Sequence, residues 1–208
     1  MTTSGLAQTP GLQQRLDSGS LFQQALRLNR YMRPEDGWLA AGLLTLNLVI
    51  VVWSVKSAKW IPAPDLAYIM LLAIITGFLV SRIPVWGALA FPLGLAVGVL
   101  VVTWQLMSFD YDGVALAGLG DLLFRLELWF EAANDGSINI DPVPFAFVLV
   151  SLTWLTGSLA AWMFVRLNHF WGVFILGGAG LFSNLTYLPP NTNAALLFWL
   201  FTGLLLVA

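Results

Sequence analysis

Six stretches of mostly apolar residues run from residue 38 to the end of the chain, separated by segments that hold most of the prolines and charges. A hydrocarbon core about 30 Å thick takes roughly 20 apolar residues of helix. Backbone facing lipid must also satisfy its own hydrogen bonds, which favours helices over open sheets. The pattern predicts an all-α fold, a polytopic integral membrane bundle of about six transmembrane helices. The predicted spans are residues 38–55, 66–81, 85–107, 145–165, 170–185 and 194–208. The sixth is incomplete, still apolar at Ala208 with no polar flank, so the protein is expected to continue beyond it.

Composition agrees with this class. Apolar residues make up 59% of the 208, charged residues only 10%, and mean hydropathy is +0.83. Soluble domains carry about 25% charged residues, too many for this chain to imitate with the few it has. There is no cysteine, which excludes disulfides, thiolate metal sites and a cysteine nucleophile within these residues. Residues 1–33 are polar and lack the compact apolar core of a cleavable signal, so the first span is expected to direct insertion.

Two amphipathic helices are predicted outside the spans. In the arm of residues 1–36, Leu21, Phe22, Ala25 and Asn29 fall at helical spacing, with Gln23, Gln24, Arg27 and Arg30 opposite. That pattern suits a helix lying on the membrane surface. Pro34, Glu35 and Asp36 make a start signal for the first span. Residues 108–142 hold Asp110, Asp112, Asp121, Glu127, Glu131, Asp135 and Asp141 against one Arg125. Within them Leu116, Leu119, Leu122, Leu123, Leu126, Trp129 and Phe130 repeat at helical spacing, and Asp121 and Arg125 can pair four residues apart. Phe124 and Leu128 interrupt the polar side, predicting an interfacial helix half sunk in apolar surroundings. Asp141-Pro142-Val143-Pro144 is read as the end of this loop, and Pro92 as a kink inside the third span.

Charge sets the expected orientation. Arg15, Arg27, Arg30, Arg33, Arg82 and Arg166 fall on alternate connections that include the N-terminal arm, whereas Lys56, Lys59 and Arg125 fall on the others. Positive residues mark cytoplasmic connections. The N terminus is therefore expected in the cytoplasm and residues 108–142 outside.

Small residues recur four apart: Ala90, Gly94 and Gly98 in the third span, and Thr153, Gly157 and Ala161 in the fourth. They let helix backbones approach closely where lipid supplies no hydrophobic drive. Packing within the chain is preferred over a dimer interface. Gly177, Gly178 and Gly180 thin one side of the fifth span in the same way. His169 is the only histidine, so a haem with two histidine ligands is excluded, and an interfacial polar residue is the simplest reading. Acids and bases lie at span ends or in connections, which argues against a proton-coupled transporter. Trp38, Trp53, Trp60, Trp86 and Trp171 lie near span ends, as anchoring tryptophans do. No catalytic, cofactor-binding or metal-ligating residue is assigned, and no cofactor and no nucleic-acid partner are expected; the expected partners are the lipid bilayer and other membrane-protein subunits.

The stretch from Phe170-Trp171-Gly172 through Gly177-Gly178-Ala179-Gly180 and Ser183-Asn184-Leu185-Thr186 to Pro189-Pro190, with Trp162 and Arg166 upstream, resembles the multi-pass N-terminal region of bacterial transglutaminase-like membrane proteins of the TgpA type. The likeness is best over residues 145–208. It implies a block of helices in the bacterial inner membrane, followed by an extracytoplasmic domain with a Cys-His-Asp triad. None of that triad maps onto this chain. The expected function is a non-catalytic membrane anchor for a cell-envelope enzyme whose catalytic domain lies after residue 208. The alternative is an accessory helical subunit of a respiratory or photosynthetic membrane complex.

Overall fold

A computed structural model describes residues 36–59, 62–83, 87–110, 115–185 and 193–207. The N-terminal arm, with its predicted surface helix, lies outside these residues, as do Trp60, Pro84, Trp86 and the Pro189-Pro190 loop. The chain divides into two compact units, Met1–Trp38 and Leu39–Ala208. The helical bundle belongs to the second.

Every element among the described residues is a helix: α1 Gly37–Ser57, α2 Leu66–Arg82, α3 Gly87–Asp110, α4 Ala115–Asn134, α5 Pro142–Leu167, α6 Phe170–Leu185 and α7 Asn193–Val207. The segments Gly37–Ser57, Phe91–Phe109 and Pro142–Leu167 are long and apolar enough to cross a membrane. The other apolar helices, α2, α6 and α7, have 17, 16 and 15 residues. At a rise of about 1.5 Å per residue they measure roughly 22–26 Å, short of a full hydrocarbon core. Three full-length spans and three shorter apolar helices therefore stand where the sequence predicts six spans.

Local chemistry explains several boundaries. Asp65 caps α2, its carboxylate accepting from Ala67 N at 3.3 Å, so α2 starts directly after the Pro62-Ala63-Pro64 breaker. Asp141 does the same for α5, accepting from Val143 N at 3.0 Å. Residues 141–144 thus end the loop by opening a helix, and α5 begins three residues before the predicted span. The physical reason is that Pro142 and Pro144 occupy the first turn, where a missing N–H costs no helical bond. At the other end Asn168 adopts the left-handed conformation (φ 49°), and His169 N donates to Met163 O at 3.3 Å. That tight reversal folds α6 back along α5.

The registers alternate. Met70 and Ala73 of α2 lie against Gly157 of α5, and Gly77 lies against Ser158 and Ala161, so α2 and α5 run in the same direction. In α3, Phe91 stacks obliquely on Trp162, and Gly94 and Gly98 meet Trp154, so α3 runs opposite to α5. Along α1, Leu48 and Val51 approach Gly177, Val51 approaches Gly180, and Ser54 bonds Asn184, so α1 and α6 are parallel. Helix α7 opposes α6, with Trp199 over Gly178 and Gly203 over Phe174.

The larger core joins Leu44, Leu48 and Val52 of α1 to Ile69, Met70 and Ala73 of α2 and to Val150, Trp154 and Ala161 of α5. A smaller one joins Val51, Leu181, Ala195 and Trp199. Large apolar side chains also cover the outside, among them Leu39, Val99, Leu100, Ile175 and Leu204. Water would penalise so broad an apolar surface. Helix α4 turns Leu122 and Leu126 to the bundle and leaves Leu123, Phe124, Leu128 and Phe130 exposed. The exposed side of α4 thus mixes these apolar side chains with Glu127 and Glu131, and its Arg125 bridges Asp121 at 2.7 Å and Asp141 at 3.6 Å.

Candidate functional site

Two features stand out among the described residues: a set of polar side chains buried between helices, and a cleft that one of them lines. Asn47, in the middle of α1, is 1% exposed. Its Nδ2 donates to Trp199 O at 2.8 Å and to Thr202 Oγ1 at 2.7 Å on α7. Two turns further along α1, Ser54 Oγ accepts from Asn184 Nδ2 at 2.8 Å. Asn184 Oδ1, equally buried, meets no donor. Reversing the amide would exchange the two atoms and leave its NH2 without an acceptor, so half of this carboxamide is unpartnered either way.

The glycines singled out from the sequence act as seats for larger side chains. A methyl group at Gly157 would stand 2.8 Å from Ala73 Cβ and from Met70 Sδ. Gly98 is covered by the indole of Trp154, whose Nε1 donates to Gly94 O at 3.4 Å. Gly177 and Gly178 form the floor under Trp199, which stacks on Phe174 with ring centroids 4.1 Å apart. Gly180 faces Val51. Thr153 turns its hydroxyl back to Leu149 O at 2.8 Å, and Ala161 is fully buried beside Gly77. The side chain of Ala90 lies outside the described residues.

The sequence pattern did not single out Gly77 or Asn47, and it marked Asn184 only as one of several polar side chains near the end of the fifth span. Ala73 and Gly77 carry the same four-residue spacing as the other small pairs and were legible in principle. Asn47 was not, because a neutral amide carries no charge signal, and nothing local tied Asn184 to Ser54 on another helix. The tryptophans divide by environment: Trp53, Trp104 and Trp171 are more than half exposed, whereas Trp154 and Trp199 are 2% and 1% exposed and fill the core. His169 is exposed, with Nδ1 3.1 Å from Leu167 O. Among the described residues no three His, Asp or Glu side chains come together as metal ligands would.

The cleft lies between α1, α5 and α6, near the end of the bundle where α1 and α6 finish and α5 begins. It has a volume of about 250 Å3, and its walls include Val52, Phe145, Leu152, Thr156, Ser183 and Asn184. A second cavity of about 280 Å3 adjoins it, sharing Val55 and Leu149 and lined also by Lys56 and Lys59. Lys56 pairs with Asp65 at 3.1 Å, both side chains being more than half exposed. Lys59 is exposed and held at the end of α1 in a left-handed turn (φ 50°). The apolar cleft and the lysine-lined cavity therefore lie side by side, meeting at Val55 and Leu149.

No protein-family model, curated protein or solved structure matches this chain.

Proposed function

We propose that the chain is a multi-pass membrane domain in which all six apolar helices cross one bilayer, the N-terminal arm being cytoplasmic, and that it serves as a non-catalytic anchor. The observation that carries this reading is the alternation of direction. Helices α1, α3 and α6 run one way and α2, α5 and α7 the other, as six consecutive passes through a single slab require. The shorter helices lie beside the longer ones, and local thinning or flanking polar residues can absorb a mismatch of a few ångströms. Interhelical amide and hydroxyl bonds, with glycine seats for tryptophans, are the means by which helices associate in lipid.

The absence of cysteine makes the test direct. Ile138→Cys and His169→Cys, both at exposed positions, place single thiols in the connections before and after α5. In intact cells an impermeant maleimide should label the first and spare the second, and the protein should stay with the membrane after alkaline carbonate extraction. Labelling of His169→Cys alone would reverse the orientation, and release by carbonate would overturn the reading.

The finer role, anchoring a transglutaminase-like enzyme to a bacterial inner membrane, is supported by the wording of residues 162–190 alone. It requires codons for a Cys-His-Asp domain beyond residue 208, and a stop codon directly after Ala208 would remove it.

A further inference from the structure

We propose that the cleft between α1, α5 and α6 binds a single-chain anionic amphiphile, a lysophospholipid with a free glycerol hydroxyl. The inference rests on the membrane reading above for the source of the ligand, but not for the shape of the site. Three observations place three parts of one molecule. The walls formed by Val52, Phe145 and Leu152 accept a hydrocarbon chain. The cleft, about 250 Å3 in volume, has room for a segment of such a chain.

The adjoining cavity carries Lys56 and Lys59. Asp65 offsets the charge of Lys56, so the net positive charge facing that cavity comes from Lys59. It suits a phosphate at the head of the same molecule. On the cleft wall Asn184 is a buried side chain whose carbonyl oxygen has no donor. A buried acceptor left unpartnered costs about 1–3 kcal/mol. A hydroxyl at the junction of chain and head, where a lysophospholipid has one and a diacyl lipid has an ester, supplies that donor after a small turn of the amide.

The test uses the full chain purified in dodecyl maltoside and titrated with palmitoyl lysophosphatidylglycerol, binding being read by native mass spectrometry. One molecule per chain should bind saturably, and lysophosphatidylcholine and diacyl phosphatidylglycerol should bind more weakly. The probe lacking the glycerol hydroxyl at the second carbon should also bind several-fold more weakly. Lys59→Gln should weaken binding about fivefold, the worth of one lysine beside an anionic headgroup. Leu152→Trp, at an exposed position in the cleft wall, should abolish binding without unfolding the bundle. Non-saturable uptake, or binding that ignores Leu152→Trp, would identify surface lipid only and overturn the site. Equal binding of the diacyl lipid or the deoxy probe would overturn the assignment of a single chain and a hydroxyl. Because these measurements are made in micelles, their failure leaves the maleimide and carbonate results standing, and the reverse holds too.

Discussion

Asn47 of α1 and Thr202 of α7 are 155 residues apart in sequence and joined by a 2.7 Å hydrogen bond in the interior of the bundle. The same amide NH2 also reaches Trp199 O, so one side chain holds the last helix to the first. In lipid such bonds average about 0.6 kcal/mol and reach about 1.7. Asn47→Leu removes both and should lower stability by about 1–2 kcal/mol, measured by reversible unfolding in mixed micelles. Thr202→Val leaves the bond to Trp199 O and should cost about 0.6 kcal/mol. An Asn47→Leu protein as stable as the parent would show that α7 is held by packing alone.

Gly77 and Gly42 offer a matched pair. A methyl group at Gly77 would lie 2.6 Å from the backbone oxygen of Ser158, which cannot rotate away, whereas at Gly42 it would meet nothing within 4 Å. Gly77→Ala should therefore cost about 1–3 kcal/mol through forced separation of α2 and α5. Gly42→Ala should be neutral or gain up to about 1 kcal/mol from helix propensity. Thermal midpoints of the two purified variants decide it, and equal shifts would contradict the close α2–α5 crossing.

Trp199 is 1% exposed, stacked on Phe174 and seated over Gly177 and Gly178. Trp199→Ala should cost about 3 kcal/mol, since the cavity it leaves is walled by helix backbone that cannot collapse. Trp171, 64% exposed on the same pair of helices, provides the control. Trp171→Ala should change the unfolding midpoint little.

Asp141 caps α5 and also faces Arg125 at 3.6 Å. The cap is expected to dominate, because the ion pair is partly exposed and worth little. Asp141→Ala should destabilise by about 1 kcal/mol and Arg125→Gln by less than about 0.5. Asp141→Asn, which keeps an accepting oxygen at the cap, should recover most of the loss. Failure of asparagine to do so would give the larger share to the charge pair.

The apolar periods of this chain were enough to place the helices, because a segment with few charges and no strand alternation has one way to satisfy its backbone in lipid. Starts of α2 and α6 fell where Asp65 and the Asn168-His169 reversal put them. Residues 141–144 end the loop as their prolines suggest, but only the cap geometry shows that Pro142 already belongs to α5, three residues before the expected start of the span. Glycine spacing pointed to close approach but not to what approaches. Trp154 over Gly98 and Trp199 over Gly178 are pairings between different helices, invisible to a local pattern.

Sequence by itself therefore determined the helical content and the apolarity that suits a membrane, since both come from summed hydropathy and local backbone needs. Tertiary structure decided which helices run beside which, whether a tryptophan anchors or fills the core, and how much of a nominal span is full length. It also decided the fate of the neutral polar residues. An asparagine in an apolar run reads as a blemish until the helix opposite is known. Asn47 then becomes a clasp and Asn184 the wall of a cleft, because a hydrogen bond depends on where its partner stands in space and not on its distance along the chain.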